Sequence, residues 1–158
     1  MTEGSAAKRE LRTRMRQVRR DLTDRPERSA QIIAHVVALD AVIAAERVLA
    51  YDSIVGEVET ATLVSWCAAH GIEVAMPEDD VEPAWADVIV VPGTAFTRRG
   101  ERIGQGGGWY DRFLPGRRAD AVTIGIAFEP QIVESLPTEP HDVTLDCVVS
   151  ESGPLWSS

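Results

Sequence analysis

Gly104, Gly106, Gly107 and Gly108 fall within five positions of this chain, with Arg102 just before them and Asp111 just after. These residue types suit a phosphate. Glycine lets the backbone approach an anion closely because no Cβ intervenes. Free N–H groups where a helix begins point at negative charge, and an arginine adds charge-assisted hydrogen bonds. A carboxylate at Asp111 could hold Mg²⁺ beside the phosphates, since that ion is usually bound by one or two carboxylates plus phosphate oxygens. The plainer reading is a glycine-rich turn in which Asp111 stabilises a helix N-terminus. A single Gly-x-Gly would leave that reading ahead, whereas four glycines with flanking arginines favour phosphate. The spacing is neither a Walker loop, which needs Gly-Lys-Ser/Thr, nor the dinucleotide fingerprint.

Such a loop needs a strand to deliver it and a helix to receive it. The apolar residues of Asp87 to Val91 supply the strand, Pro92-Gly93 breaks it, and Trp109 to Leu114 reads as a helix start stopped by Pro115-Gly116. Upstream, Ser5 to Leu22 reads as an amphipathic helix, with Leu11, Met15, Val18 and Leu22 on one face. Lys8, Arg12 and Arg16 follow one another at i+4 along a flank of that face, so neighbours among them could grip one polyanion. Pro26 marks a break, and a second helix capped by Ser29 is expected to run to about Ala45. Val48 to Tyr51 is expected as a strand, Asp52 to Glu59 as a loop, Thr60 to Ala69 as a helix ended by Gly71, and Ile72 to Met76 as a strand. Strands are also expected over Val122 to Phe128 and Leu145 to Val149, with a short helix over Pro130 to Leu136 and a fraying tail after Glu151. Alternating strands and helices predict an α/β fold: a mostly parallel sheet flanked by helices, with an N-terminal helical pair, in a single domain over residues 1–158. Ligands of such sheets bind at the carboxyl ends of strands, where the glycine loop falls.

Composition narrows the partners. A 44% apolar fraction supports a core, and a formal net charge of −9 argues against non-specific nucleic-acid binding. Nine of the sixteen basic residues precede Ser29 and six lie between Arg98 and Arg118, leaving only Arg47 elsewhere, so positive charge is local. For the N-terminal patch a solvated helix face is an equally good reading. Cys67 and Cys147 have no metal spacing and suggest no disulfide scaffold. No export-signal pattern is seen, and the apolar stretch Ile32 to Ala45 is too short to cross a bilayer. The expectation is a cytoplasmic protein, away from membranes, that is a monomer or weak homo-oligomer.

Taken together, these stretches resemble the 5-formyltetrahydrofolate cyclo-ligase (5,10-methenyltetrahydrofolate synthetase) family. The longest match is VVPGTAFTRRGERIGQGGGWYDRFL, from Val90 to Leu114, and Lys8 to Arg12 (KRELR), Glu57 to Thr60 (EVET) and Leu136 to Asp146 (LPTEPHDVTLD) follow the family in order. The resemblance implies an ATP- and Mg²⁺-dependent enzyme that closes a ring in its folate substrate, releasing ADP and phosphate. It implies ATP binding by Lys8, Arg12, Arg102, Ile103, Gly104, Gln105, Gly106, Gly107, Gly108, Trp109 and Tyr110, with Arg102, Gly106, Gly107 and Tyr110 at the reacting centre. It further implies metal ligation by Asp111 and Asp146, and folate contacts from Asp52 and Glu57. Read without the family, Glu57 is as well explained as an acid near a helix start, Asp146 as the end of a turn, and His141 as a turn residue beside Pro140.

Three features depart from the family pattern. Thr97 stands where an aspartate usually follows the phenylalanine, and Gln105 where a large aromatic or basic residue is usual. Between Met76-Pro77 and Glu82-Pro83 only a short acidic crossing remains, where relatives carry an insert that adds strands and walls the folate pocket. The alternative to an active cyclo-ligase is therefore a non-catalytic nucleotide- or folate-binding relative with a reduced pterin pocket. A third reading is another ATP-using enzyme with a smaller substrate.

Overall fold

Short, mostly apolar runs build the central sheet, their successive side chains pointing to opposite faces. A computed structural model describes residues 3–157 of the chain. Six strands lie in the order β2 (Glu73–Ala75), β1 (Arg47–Leu49), β3 (Val88–Val91), β6 (Val122–Ile126), β8 (Cys147–Ser150) and β9 (Gly153–Trp156). All pairs are parallel except β8 with β9. On β3, Val88 and Val90 face one layer while Ile89 and Val91 face the other, and all four are buried, as expected for a parallel strand covered on both sides.

Helices α2 (Arg25–Val37) and α4 (Ala61–Ala69) cover the first face, placing Ile32, Ile33, Val36, Leu63 and Cys67 against Val88, Val90, Ile124 and Val149. On the second face, Leu49, Ile89, Val91, Phe96, Tyr110, Leu114, Leu145 and Val148 form a separate core that reaches toward the glycine loop. Gly125 belongs to this packing. A Cβ there would stand 2.6 Å from the Phe96 ring and 2.8 Å from Leu145 Cδ1, so the glycine makes room for both.

Helix α1 (Glu3–Asp21) packs elsewhere. Its Leu11 and Met15 are buried with Ala95, Ile103 and Leu136, against a second sheet of three short strands in the order β5 (Arg102–Ile103), β4 (Ala95–Thr97) and β7 (Ile132–Val133). This small sheet is what brings the N-terminal helix to the glycine loop.

Four sequence expectations are corrected. The second helix begins at Arg25, not Ser29, and ends at Val37, with a separate turn α3 (Asp40–Ile43) after it. Pro26 sits in its first turn, where a missing N–H costs nothing. Ser29 is buried inside the helix, and its Oγ accepts the Glu59 N–H at 3.0 Å, fastening α2 to the loop before α4. Residues expected as a short helix after Pro130 instead form a 3-10 turn, Glu129–Gln131, followed by strand β7. The tail expected to fray is β9, an edge strand that accommodates Pro154.

Asp87 ties the starts of three strands together. Its Oδ2 accepts the N–H groups of Glu46 at 2.7 Å and Arg47 at 2.8 Å, and its Oδ1 meets Arg118 Nη2 at 2.5 Å. Burial pushes this carboxyl up, but the hydrogen bonds from Arg118, Glu46 and Arg47 outweigh it and hold the group below its ordinary value.

Candidate functional site

The small sheet is a hairpin carried by a tight turn. Thr97, fully buried, donates its hydroxyl to Glu101 Oε1 at 3.0 Å and accepts the N–H groups of Arg99 and Glu101, and Gly100 turns with φ 90°. A Cβ on Gly100 would lie 2.2 Å from the Leu145 carbonyl, so only glycine fits. Thr97, where the family pattern has aspartate, therefore shapes the hairpin and does not line the cleft.

Strand β5 then presents Arg102, whose side chain is 7% exposed. Its Nε donates to Pro92 O at 2.6 Å, its guanidinium stands 5.1 Å from the centre of the Tyr110 ring, and its Nη1 lies 4.0 Å from Asp111 Oδ1. Burial pulls its pKa below the ordinary value, with Asp111, Tyr110 and Asp142 opposing, and the group stays charged. Tyr110 is pushed well above its ordinary value by burial, against the pull of Arg102, and is a neutral phenol at physiological pH.

The glycine loop follows. Gly106 and Gly108 have φ of 109° and 72°, the left-handed region that disfavours side chains. A Cβ on Gly104 would meet Arg102 Nη2 at 2.7 Å, whereas one on Gly107 would meet nothing within 4 Å and would stand in the open cleft. Helix α5 (Trp109–Phe113) is a little over one turn, shorter than the motif suggests. The loop backbone and the arginines, rather than a long helix dipole, supply positive potential here.

Helix α1 completes this wall. Arg12 Nε donates to Gly104 O at 2.8 Å, and Lys8 Nζ lies 3.3 Å from Glu139 Oε1 and 3.6 Å from Asp142 Oδ2. The last two residues belong to a turn that closes on itself, with the Glu139 N–H donating to Asp142 Oδ2 at 2.8 Å. His141 Nε2 stands 3.2 Å from Glu139 Oε2 and 3.7 Å from Asp142 Oδ1.

All these groups face one concave cleft of about 590 Å³, a volume typical of small-molecule sites. Of the residues singled out in the sequence, Lys8, Arg12, Arg102, Gly104, Gln105, Gly106, Gly107, Gly108, Trp109, Tyr110, Asp111 and Glu57 line it. Three do not. Ile103 is buried against α1 as part of the hairpin core. Asp52 is exposed on its loop. Asp146 turns its Oδ2 to Thr123, accepting the N–H at 2.9 Å and the hydroxyl at 3.1 Å, and so joins β6 to the start of β8. Asp142, which the sequence did not single out as a ligand, lines the cleft along with Asp111. Glu139, Arg9 and Ser5 are also additions from the structure. The signal for Asp142 lay in Glu139-Pro140-His141-Asp142, a turn sequence whose side-chain-to-backbone bond is typical of aspartate.

Glu57 comes from the loop after β1. Its Oε1 accepts the Ile54 N–H at 2.9 Å, closing a turn in which Gly56 has φ 94°. Burial raises its pKa, with the Ile54 N–H and Arg19 opposing. The tip of that turn is apolar and open, Ile54 being 62% and Val55 96% exposed. The shortened crossing consists of two 3-10 turns, Pro77–Asp79 and Pro83–Trp85, and adds no strand beyond β2.

The residues present fit a nucleotide with a divalent cation. Cβ atoms would crowd the loop at Gly104 and Gly108, positive groups line one wall, and Asp111 and Asp142 supply two carboxylates. Among the described residues no group of three or more His, Cys, Asp or Glu side chains could hold a metal alone.

A glycine-rich loop after a buried parallel strand, facing a basic helix across a cleft, defines an α/β protein with a concave site lined by basic side chains. The sequence profile described as the 5-formyltetrahydrofolate cyclo-ligase family matches residues 4–83 and 78–151, and the chain belongs to that family. The two matched stretches meet at the shortened crossing. A 5-formyltetrahydrofolate cyclo-ligase of Mycolicibacterium smegmatis is 42% identical over 65 residues, 41% of this chain and 34% of the relative. Such aligned stretches span about a third of the length of the curated relatives. Two solved structures share the fold over most of the chain. A 5,10-methenyltetrahydrofolate synthetase from Mycoplasma pneumoniae is 25% identical with a TM-score of 0.80, covering 91% of this chain and 98% of its own. One from Aquifex aeolicus is 26% identical with a TM-score of 0.82, covering 94% and 92%.

Proposed function

We propose that this chain is a cyclo-ligase that uses ATP and Mg²⁺ to convert 5-formyltetrahydrofolate to 5,10-methenyltetrahydrofolate. The observation that carries the proposal is the meeting of the glycine loop, Arg102, Lys8, Arg12, Asp111 and Asp142 on one cleft, which Glu57 from the loop after β1 also lines. The family relationship supplies the substrate class.

In this reading the formyl oxygen attacks the γ-phosphorus of ATP and ADP leaves. N10 of the folate then attacks the formyl carbon, the C–O bond breaks with departure of phosphate, and the N10 proton is lost. Phosphoryl transfer is mostly positioning and charge stabilisation. Arg102 and the loop N–H groups oppose charge on the phosphates, and Lys8 and Arg12 add positive charge from α1. Tyr110, a neutral phenol, serves as a hydrogen-bond donor and as the face on which Arg102 rests. Asp111 and Asp142 would hold Mg²⁺, which when bound neutralises phosphate charge. Glu57, raised in pKa by burial, is suited to hydrogen-bond the pterin or to take a proton. The chain acts in this reading as a cytoplasmic monomer or weak homo-oligomer.

The open Ile54–Val55 tip and the strandless crossing favour one alternative, a relative that binds nucleotide but holds folate poorly. Purified protein incubated with 5-formyltetrahydrofolate, ATP and Mg²⁺ decides between them. Growth of methenyl absorbance with equal release of ADP is the expected result. ATP binding without either product would establish the alternative.

A further inference from the structure

Thr94 is buried, at 1% exposure, and does not line the cleft. Three of its groups are nevertheless bonded into the segments that shape the glycine loop. Its N–H donates to Ile103 O at 2.8 Å and its hydroxyl donates to Gly104 O at 3.1 Å. Its carbonyl accepts from Gln131 Nε2 at 3.1 Å, and the same nitrogen donates to Gly93 O at 3.2 Å. Gln131 is itself 2% exposed and is fixed by the Phe128 N–H, which donates to its Oε1 at 2.9 Å. A buried amide with both ends bonded has no freedom to rotate, so the backbone of Gly93 and Thr94 is held from behind.

The Gly104 carbonyl is consequently held by two donors, the Thr94 hydroxyl and Arg12 Nε. A peptide unit is planar and trans, so its C=O and the following N–H point in opposite directions. Fixing the Gly104 oxygen fixes the direction of the Gln105 N–H, at the first turn of the loop after Arg102. Arg12 is half-buried and reaches from another element, whereas Thr94 is close in sequence and fully enclosed. The threonine hydroxyl is therefore the donor that can set this peptide before any ligand arrives.

We propose that Thr94, anchored by Gln131, is a positioning residue that presets the glycine loop for the phosphates of the nucleotide. The proposal rests on the nucleotide reading of the cleft and adds to it a residue that touches neither substrate.

The test uses the whole chain and Mg-ATP as the probe. Thr94→Val keeps the shape and both backbone bonds while removing the hydroxyl; Thr94→Ser keeps the hydroxyl; Thr94→Ala serves if the valine variant does not fold. Loss of the hydroxyl is expected to weaken Mg-ATP by about tenfold in calorimetric titration and to raise the KM for ATP alike, with the KM for folate unchanged. Thr94→Ser is expected to restore binding to within about threefold. A purely structural threonine would instead lower the thermal midpoint and leave nucleotide affinity alone, and that result overturns the proposal. Equal weakening in the serine and valine variants also overturns it. Wild-type protein that binds no nucleotide would remove the nucleotide reading and the positioning role together, whereas nucleotide binding that ignores Thr94→Val removes the positioning role alone.

Discussion

On the glycine-loop side of the cleft, the useful groups are held by buried groups behind them. Arg102 is fixed by Pro92 O and the Tyr110 ring, and Gly104 by Arg12 and Thr94. On the Glu57 side, the carboxylate is bonded to the Ile54 N–H of its own turn, whose apolar tip faces solvent, while the residues just beyond are fastened to α2 through Ser29 and Glu59. The first wall is built before ligand binds, and donors placed in advance cost no reordering when charge arrives. The exposed Ile54–Val55 tip of the second wall lacks such support, so a ligand binding against it must order it. The two halves of one site therefore differ in how much of their affinity is prepaid by the fold.

The largest effect is expected on the prepared wall. Arg102→Ala removes a buried charge, its bond to Pro92 and its stacking on Tyr110. Mg-ATP affinity should fall by about a hundredfold, near 2.7 kcal/mol, with some loss of thermal stability. Calorimetric titration reads it, and a drop below threefold would mean that the loop backbone alone holds the phosphates.

The carboxylates sharpen the same wall. Asp111→Asn and Asp142→Asn should each reduce Mg²⁺-dependent ATP binding by about tenfold. Asp146→Asn should leave that dependence intact and instead cost about 1 kcal/mol of folding stability, through its bonds to Thr123. Reversed roles for Asp142 and Asp146 in a Mg²⁺ titration would overturn the geometric assignment.

For the unprepared wall, Glu57→Gln keeps an acceptor for the Ile54 N–H but removes the charge. The KM for folate should rise by about fivefold with nucleotide affinity unchanged. Because burial raises this carboxyl, its ionised form penalises the fold, a penalty absent below the ordinary value of 4.5 and complete above the raised one. The variant should accordingly be no less stable than wild type at neutral pH. A marked loss of thermal midpoint at pH 7 would show that Glu57 is chiefly a structural residue.

The smallest effect lies outside both walls. Asp87 has a depressed carboxyl, so its stabilisation is present above the ordinary value of 3.8 and lost as pH falls through the lower folded value. Asp87→Asn should lose about 1 kcal/mol at neutral pH and nothing in ATP affinity. Denaturant midpoints of the two proteins should converge as pH drops below 3.8. A gap that persists unchanged into acid would show that charge at Asp87 is not what matters.

The prepared wall was also the legible one. A four-residue apolar strand, Pro92-Gly93 and the glycine cluster each break or permit backbone in a way that residue types announce. The hairpin beneath it was not legible, because β4, β5 and β7 are two or three residues long and too short to show a period. Strand β9 was hidden by Gly153-Pro154, which reads as a stop but is tolerated at a sheet edge. Asp142 and Asp146 share one short motif, and nothing in their spacing says which faces the cleft. That choice is made by Thr123, a residue 23 positions from Asp146, whose hydroxyl turns one aspartate inward. The bond from Arg12 to Gly104 spans 92 positions, so sequence could propose both basic segments without showing that they meet.

That meeting is the central claim, and it is tested by titrating Mg-ATP into wild type and Arg12→Ala side by side. One site per chain is expected in the wild type, with about tenfold weaker binding when Arg12 is lost. Equal affinity in the two proteins, or no binding by the wild type, would contradict it.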